Sequence, residues 1–163
     1  MNPSAAGILK CMTTSTINAR EREPVVQFSV FTPNRFGRLH DVVRRLAEGE
    51  VHILALTVLD TTDSTILRLV VDDPDRARSL LGEFGYAFSE CILLVVEVLY
   101  EHQLKDILAA FIEAELNIHY IYPFLIRPGG RSAIAINVEH LDVAEVALKQ
   151  RQFTVLTQDD LAR

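Results

Sequence analysis

From residue 25 onward the apolar positions fall into blocks, short runs of β-branched and aromatic residues alternating with stretches that repeat at helical spacing. "VVQFSVF" (25–31), "VHILALTVL" (51–59) and "TILRLVV" (65–71) each predict a strand. Between the first two, Leu39, Val42, Val43, Leu46 and Ala47 follow the i, i+3, i+4, i+7, i+8 pattern of a helix with one apolar face. Asp60 to Asp63 form a polar turn before the third strand. Asp73-Pro74 sets a capping carboxylate before a proline suited to the first helical position. Ala77, Leu80, Leu81 and Phe84 are the stripe of that second helix, Gly85 is placed to end it, and a fourth strand begins near Tyr86. The order is β-α-β-β-α-β.

The order then repeats. "CILLVVEVLY" (91–100) supplies the end of one unit and the start of the next, and Leu104, Ile107, Leu108, Phe111 and Ile112 reproduce the first helical stripe 65 residues later. "LNIHYIYPFLI" (116–126) is the next strand, Arg127 to Gly130 a Pro-Gly turn, "SAIAINV" (132–138) the returning strand, Val143, Ala144, Ala147 and Leu148 the last stripe, and "FTVLT" (153–157) the closing strand. The second halves are displaced by 67 residues, so "FGYAF" (84–88) answers to "RQFTV" (151–155). An internal duplication explains both offsets. Two helices on one face of a four-stranded antiparallel sheet make a ferredoxin-like unit with right-handed crossovers. The expected class is α+β, with two ferredoxin-like βαββαβ units. Residues 1–23 are polar and aperiodic and read as a flexible N-terminal leader, with Met12 an alternative start; 24–91 is the first unit and 92–163 the second. Ile118, Tyr120, Tyr122 and Phe124 are expected on one strand face, with Ile121 and Leu125 on the other. Helices on one face leave apolar area over, for a second unit or a second chain to bury.

Composition narrows the function. The chain has 163 residues, 49% hydrophobic and 23% charged, enough to bury a sizeable core. Its net charge of −6, with scattered basic residues, disfavours a nucleic-acid surface, although Tyr120 and Tyr122 are spaced like a base-stacking pair. No apolar run approaches the ~20 residues of a membrane span, and no secretory signal is evident, so a cytoplasmic protein without membrane contact is expected. Cys11 and Cys91 lie far apart, and Cys91, inside an apolar run, reads as a buried free thiol. His40, His52, His102, His119 and His140 lack the spacing of metal ligands. There is no nucleophile–base pair, phosphate loop or nucleotide fingerprint, and Asp72-Asp73 is explained by helix capping. No enzyme, metal or cofactor is expected.

The stretch with chemistry in it is "TPNRFGRLHDV" (32–42), a polar, donor-rich hinge at the mouth of the first helix. Its polar character suits a seat for a small anion or zwitterion, whose charges are costly to desolvate unless matched. A helix N-terminus offers unpaired N–H groups and partial positive charge to a carboxylate. Gly37 allows close backbone approach, and the Asn34 amide has an acceptor and a donor for the zwitterion.

"NRFGRL" (34–39) is similar to the N-R-P-G-x-L loop of the ACT domain, a small regulatory module that binds amino acids. "LAEGEVHILALTV" (46–58), "FIEAELNIHYIYPF" (111–124) and "LRLVVDDPDRARSLLGEFGY" (67–86) resemble that family's other segments, and the resemblance covers roughly residues 25–157. Phe36 stands where the family usually has proline, and "YEHQLKD" (100–106) of the second repeat has no glycine, so that loop is not expected to work. At the strand position where the family often has Asn-Ile, repeat one carries His52-Ile53 and repeat two Asn117-Ile118. The resemblance implies a ligand held between two domains by Asn34, Arg35, Phe36, Gly37, Arg38 and Leu39 on one side. Asn117, Ile118 and His119 would form the other side, from the same chain or a partner chain. It implies a non-catalytic, amino-acid-responsive regulatory protein, expected as a homodimer, tandem ACT units standing alone. The alternative is the regulatory subunit of an amino-acid biosynthetic enzyme such as acetolactate synthase, against which the clean duplication argues.

Overall fold

A computed structural model describes residues 23–162; all but the last residue of the leader expected over 1–23, Cys11 included, lies outside them. The first unit runs β1 (Val25–Pro33), α1 (Arg38–Glu48), β2 (Ile53–Asp60), β3 (Ser64–Val71), α2 (Pro74–Glu83) and β4 (Ala87–Val98). The second continues with α3 (Gln103–Glu113), β5 (Ile118–Pro123), β6 (Ser132–Val138), α4 (Leu141–Gln150), β7 (Val155–Leu156) and α5 (Gln158–Leu161), with a 3-10 turn at Pro128–Gly130. β4 serves both units. Its residues 87–93 pair with β1, and 94–98 with β6, so the ladder changes partner within one continuous strand.

The sheet order is β2-β3-β1-β4-β6-β5, with β7 also on β4. The sheet curls until its two ends touch. Ala55 of β2 bridges Phe124, and the Leu125 N–H donates to the Leu54 carbonyl at 2.8 Å. Period-two alternation sorts the side chains into three apolar layers. Phe28, Leu67 and Leu69 lie under α1 and α2, and Ile107, Phe111 and Ile136 belong to the layer of α3 and α4. Leu54, Val70, Leu93, Val95 and Tyr122 fill the space between the units. The apolar area that each unit's helices leave over is therefore buried against the other unit.

The duplication is legible in backbone detail. All four long helices end on a residue in the left-handed region, Glu50 and Glu115 (φ 62 and 54) after α1 and α3, Gly85 and Gln152 (φ 69 and 64) after α2 and α4. Each is followed by the six-to-one bond of a Schellman cap, from Val51, Tyr86, Leu116 and Phe153 to Leu46, Leu81, Phe111 and Leu148. Only one of the four is glycine. Glu115→Gly removes the Cβ cost and adds back some unfolded-chain entropy, so it is expected to stabilise by about 0.5–1 kcal/mol, measured by chemical denaturation.

Three expectations are corrected. A bulge between Ile118 and Tyr120 puts Ile118 in the α3–α4 layer and Tyr120, Tyr122 and Phe124 in the central one, so the four do not share a face. An equivalent bulge falls between Ile53 and Ala55. The closing strand is two residues long rather than five. Cys91 is free but only half-buried. α5, too short for a periodic signal, closes the central layer with Leu161. Gln158 ties it to unit one, its N–H donating to the Glu23 carbonyl and its side-chain amide to the Val71 carbonyl, both at 2.9 Å.

Candidate functional site

The β1–α1 loop turns on Gly37, which has φ 84 and serves as N-cap of α1. Only glycine adopts that φ at little cost. Because the cap residue has no side chain, no side-chain hydrogen bond caps the helix. The Asp41 N–H reaches the Gly37 carbonyl and the Arg38 N–H the Arg35 carbonyl, while the N–H groups of Leu39 and His40 find no acceptor among the described residues. α2 differs: Asp73 accepts from the Arg76 N–H and closes its N-terminus.

The start of α1 borders a hollow of about 260 Å³ lined by Asn34, Arg35, Arg38, Leu39, Asp60 and Thr65, among others. Asn34 does not cap the helix; its Nδ2 donates to Asp60 Oδ1 at 2.8 Å. Asp60 Oδ2 has no partner among the described residues, nor do the guanidinium groups of Arg35 and Arg38 enter an ion pair there. The hollow therefore sets anion-seeking amides and two cations beside a carboxylate that can take an ammonium group. Asp60 was expected only as part of a polar turn. It is 26 residues from Asn34, and its role comes from the fold, which brings the β2–β3 turn beside the β1–α1 loop. One side of the hollow is open, and Phe36 (109% exposed), Leu39 and Val58 present apolar surface around it.

Asn117, Ile118 and His119 lie at the α3–β5 turn and do not line this hollow. Asn117 donates to Glu139 at 3.3 Å, and the bulge at His119 turns β5 into the central layer, where Tyr120 meets Gln27. The one bridge between the two sheet ends joins Ala55 of β2 to Phe124, just past β5, in antiparallel sense. The loop of the second repeat is also filled: Gln103 Oε1 accepts from the N–H groups of Leu99 (2.6 Å) and Tyr100 (3.1 Å).

Behind the loop, Asp41 accepts from Tyr86 Oη (2.9 Å), Arg44 (3.0 Å) and Arg45 (3.2 Å), while Arg45 lies 4.4 Å over the Phe84 ring. The Tyr86 hydroxyl, followed by the guanidinium groups, lowers the Asp41 carboxyl from 3.8 to about 2. A carboxyl held below its unfolded value adds stability above that value, and this is lost as pH falls through about 2. Tyr86→Phe is expected to move the Asp41 titration upward, measured by carboxyl NMR.

The two units also meet through a polar cluster. Gln27, fully buried, accepts from Tyr122 Oη at 2.8 Å, and its Nε2 lies 2.9 Å from Tyr120 Oη and 3.3 Å from Cys91 Sγ. Burial pushes both phenols up, so both act as neutral hydroxyls. The Arg68 guanidinium lies 3.7 Å over the Tyr120 ring. No group of His, Cys, Asp and Glu among the described residues is arranged to hold a metal, and none of their helices is long and apolar enough to cross a membrane.

Comparison with known proteins agrees with this architecture. The model of the ACT domain pair matches residues 24–163. A structure from Bacteroides thetaiotaomicron superimposes with a TM-score of 0.79 at 25% identity, covering 87% of this chain and 98% of that one. The regulatory subunit of aspartate kinase from Thermus thermophilus, in its ligand-free form, gives 0.56 at 15% identity, over 78% and 91% of the two chains. The subunit from Thermus flavus gives 0.52 at 16%, over 78% and 92%. No curated protein sequence matches the chain.

Proposed function

This chain belongs to the ACT domain pair family, and from that premise we propose that it is a non-catalytic regulatory protein that binds a free amino acid at the β1–α1 loop of unit one. The observation that carries this is the uncapped start of α1, where Leu39, its N–H unmatched, shares a hollow with the Asp60 carboxylate. A carboxylate on the amides and an ammonium on Asp60 would satisfy groups that the chain leaves unmatched. The open, apolar-rimmed side of the hollow fits a second copy of the chain, whose Asn117, Ile118 and His119 would complete the wall. A homodimer is the assembly this requires. Occupancy would bridge the copies and shift their packing by the ligand's differential affinity for the two arrangements. The filled loop of the second repeat would leave one working loop per chain.

A regulatory subunit of an amino-acid biosynthetic enzyme is the second reading, favoured by the regulatory subunits of aspartate kinase among the structural neighbours. Co-purification with a larger catalytic chain distinguishes it. The test of the main reading is a thermal-shift screen with the twenty amino acids. At ~100 times its dissociation constant a ligand adds roughly 2.7 kcal/mol of stability. At least one hit is expected, absent in Asn34→Ala; a blank panel overturns the reading.

A further inference from the structure

A second hollow, of about 370 Å³, lies toward the far end of α1 from this loop, where the units meet. Val43 and Ala47 of α1, Ile53 and Leu56 of β2, and Leu125 and Ile126 of unit two line it. The bond from the Leu125 N–H to the Leu54 carbonyl fixes the wall from unit two. The lining is apolar except for His52.

His52 is held in place. Its backbone N–H donates to Asp72 Oδ1 at 2.8 Å, its ring Nδ1 lies 2.7 Å from Asp72 Oδ2, and the Asp72 N–H returns to the His52 carbonyl at 3.1 Å. The Asp72 side chain is only 9% exposed, and both its oxygens are engaged. The carboxylate takes the Nδ1–H, and ring Nε2 has no partner among the described residues. Repeat two places Asn117 and Glu139 at the matching positions, an amide–carboxylate pair with no ring. The oriented imidazole is thus specific to the unit that owns the hollow.

We propose that this seam hollow binds a small branched aliphatic carboxylate that carries no ammonium group, a 2-oxo acid or a short branched fatty acid. The hydrocarbon fills the wall of Val43, Ile53, Leu56 and Leu125, and the bound carboxylate accepts from Nε2–H of a ring that it and Asp72 together hold doubly protonated. An amino acid is excluded because its ammonium would meet apolar wall, with Asp72 already saturated. At the loop the opposite holds, since Asp60 is there for the ammonium. A ligand at the seam touches both units and so bears on their packing.

The test is calorimetric titration of the full chain with 4-methyl-2-oxopentanoate, 4-methylpentanoate and L-leucine. Binding of at least one of the two acids is expected, weakened about ten-fold or more by His52→Gln, which loses a charge-assisted bond. Ala47→Phe, which fills the hollow from an exposed helix position, is expected to do the same, and Asn34→Ala to leave the acids unaffected. Thermal melts of each variant confirm that it folds. If neither acid binds, or if their binding survives His52→Gln and Ala47→Phe, the proposal is overturned. It is likewise overturned if Asn34→Ala removes their binding, which would assign them to the loop. Failure of the loop reading shows separately, as absence of any amino acid response.

Discussion

Gln27→Leu is expected to destabilise the protein by about 2–4 kcal/mol, although leucine is apolar, similar in size and enters an apolar layer. Gln27 is the acceptor for the buried Tyr122 hydroxyl and a donor to Tyr120. Leucine leaves the first hydroxyl buried without a partner and removes a bond from the second. Desolvated polar groups cost most when left unmatched, because water is no longer available to replace the lost bond. The companion variant decides the mechanism: adding Tyr122→Phe removes the orphaned hydroxyl, so the double variant recovers part of the loss. Chemical denaturation of the four proteins in the cycle measures it. Additive losses, or a single-variant loss below about 1 kcal/mol, would contradict this account of the seam.

Asp60→Ala is expected to weaken amino acid binding by about ten- to a hundred-fold, the equivalent of a charged hydrogen bond. Two effects contribute, loss of the ammonium partner and release of Asn34, whose amide is positioned by Asp60 Oδ1. Asp60→Asn separates them, since it keeps an oxygen for Asn34 and removes the charge. Binding as weak in Asp60→Asn as in Asp60→Ala assigns the effect to charge; retained binding assigns it to positioning. Calorimetric titration with the hit from the amino acid screen reads both. Gly37→Val serves as a backbone control. A side chain there meets open space, so its cost comes from the φ of 84 alone, and the loop must change shape to relieve it.

What the sequence made legible was local. The helix stripes, the Asp73-Pro74 start, Gly37 and the two offsets each depend on residues within a few positions of one another, where spacing and propensity decide the outcome. What it hid depends on distant partners. A bulge adds one residue to a strand without altering its composition, so the faces of Ile118 and Tyr120 could not be separated by alternation alone. The Asn34–Asp60 bond joins two turns that only the folded sheet brings together. Gln103 reads as an ordinary helix residue until its oxygen is seen to occupy the loop amides. The curling of the sheet follows from twist accumulated over six neighbouring strands, and with it the meeting of β2 and β5.

The central claim is most directly tested by amide-resolved NMR of the labelled chain titrated with the amino acid identified in the screen. The account predicts that the largest shifts fall on the amides of Gly37, Leu39 and His40. Shifts concentrated at Leu99 to Gln103, with the α1 amides unmoved, would contradict it.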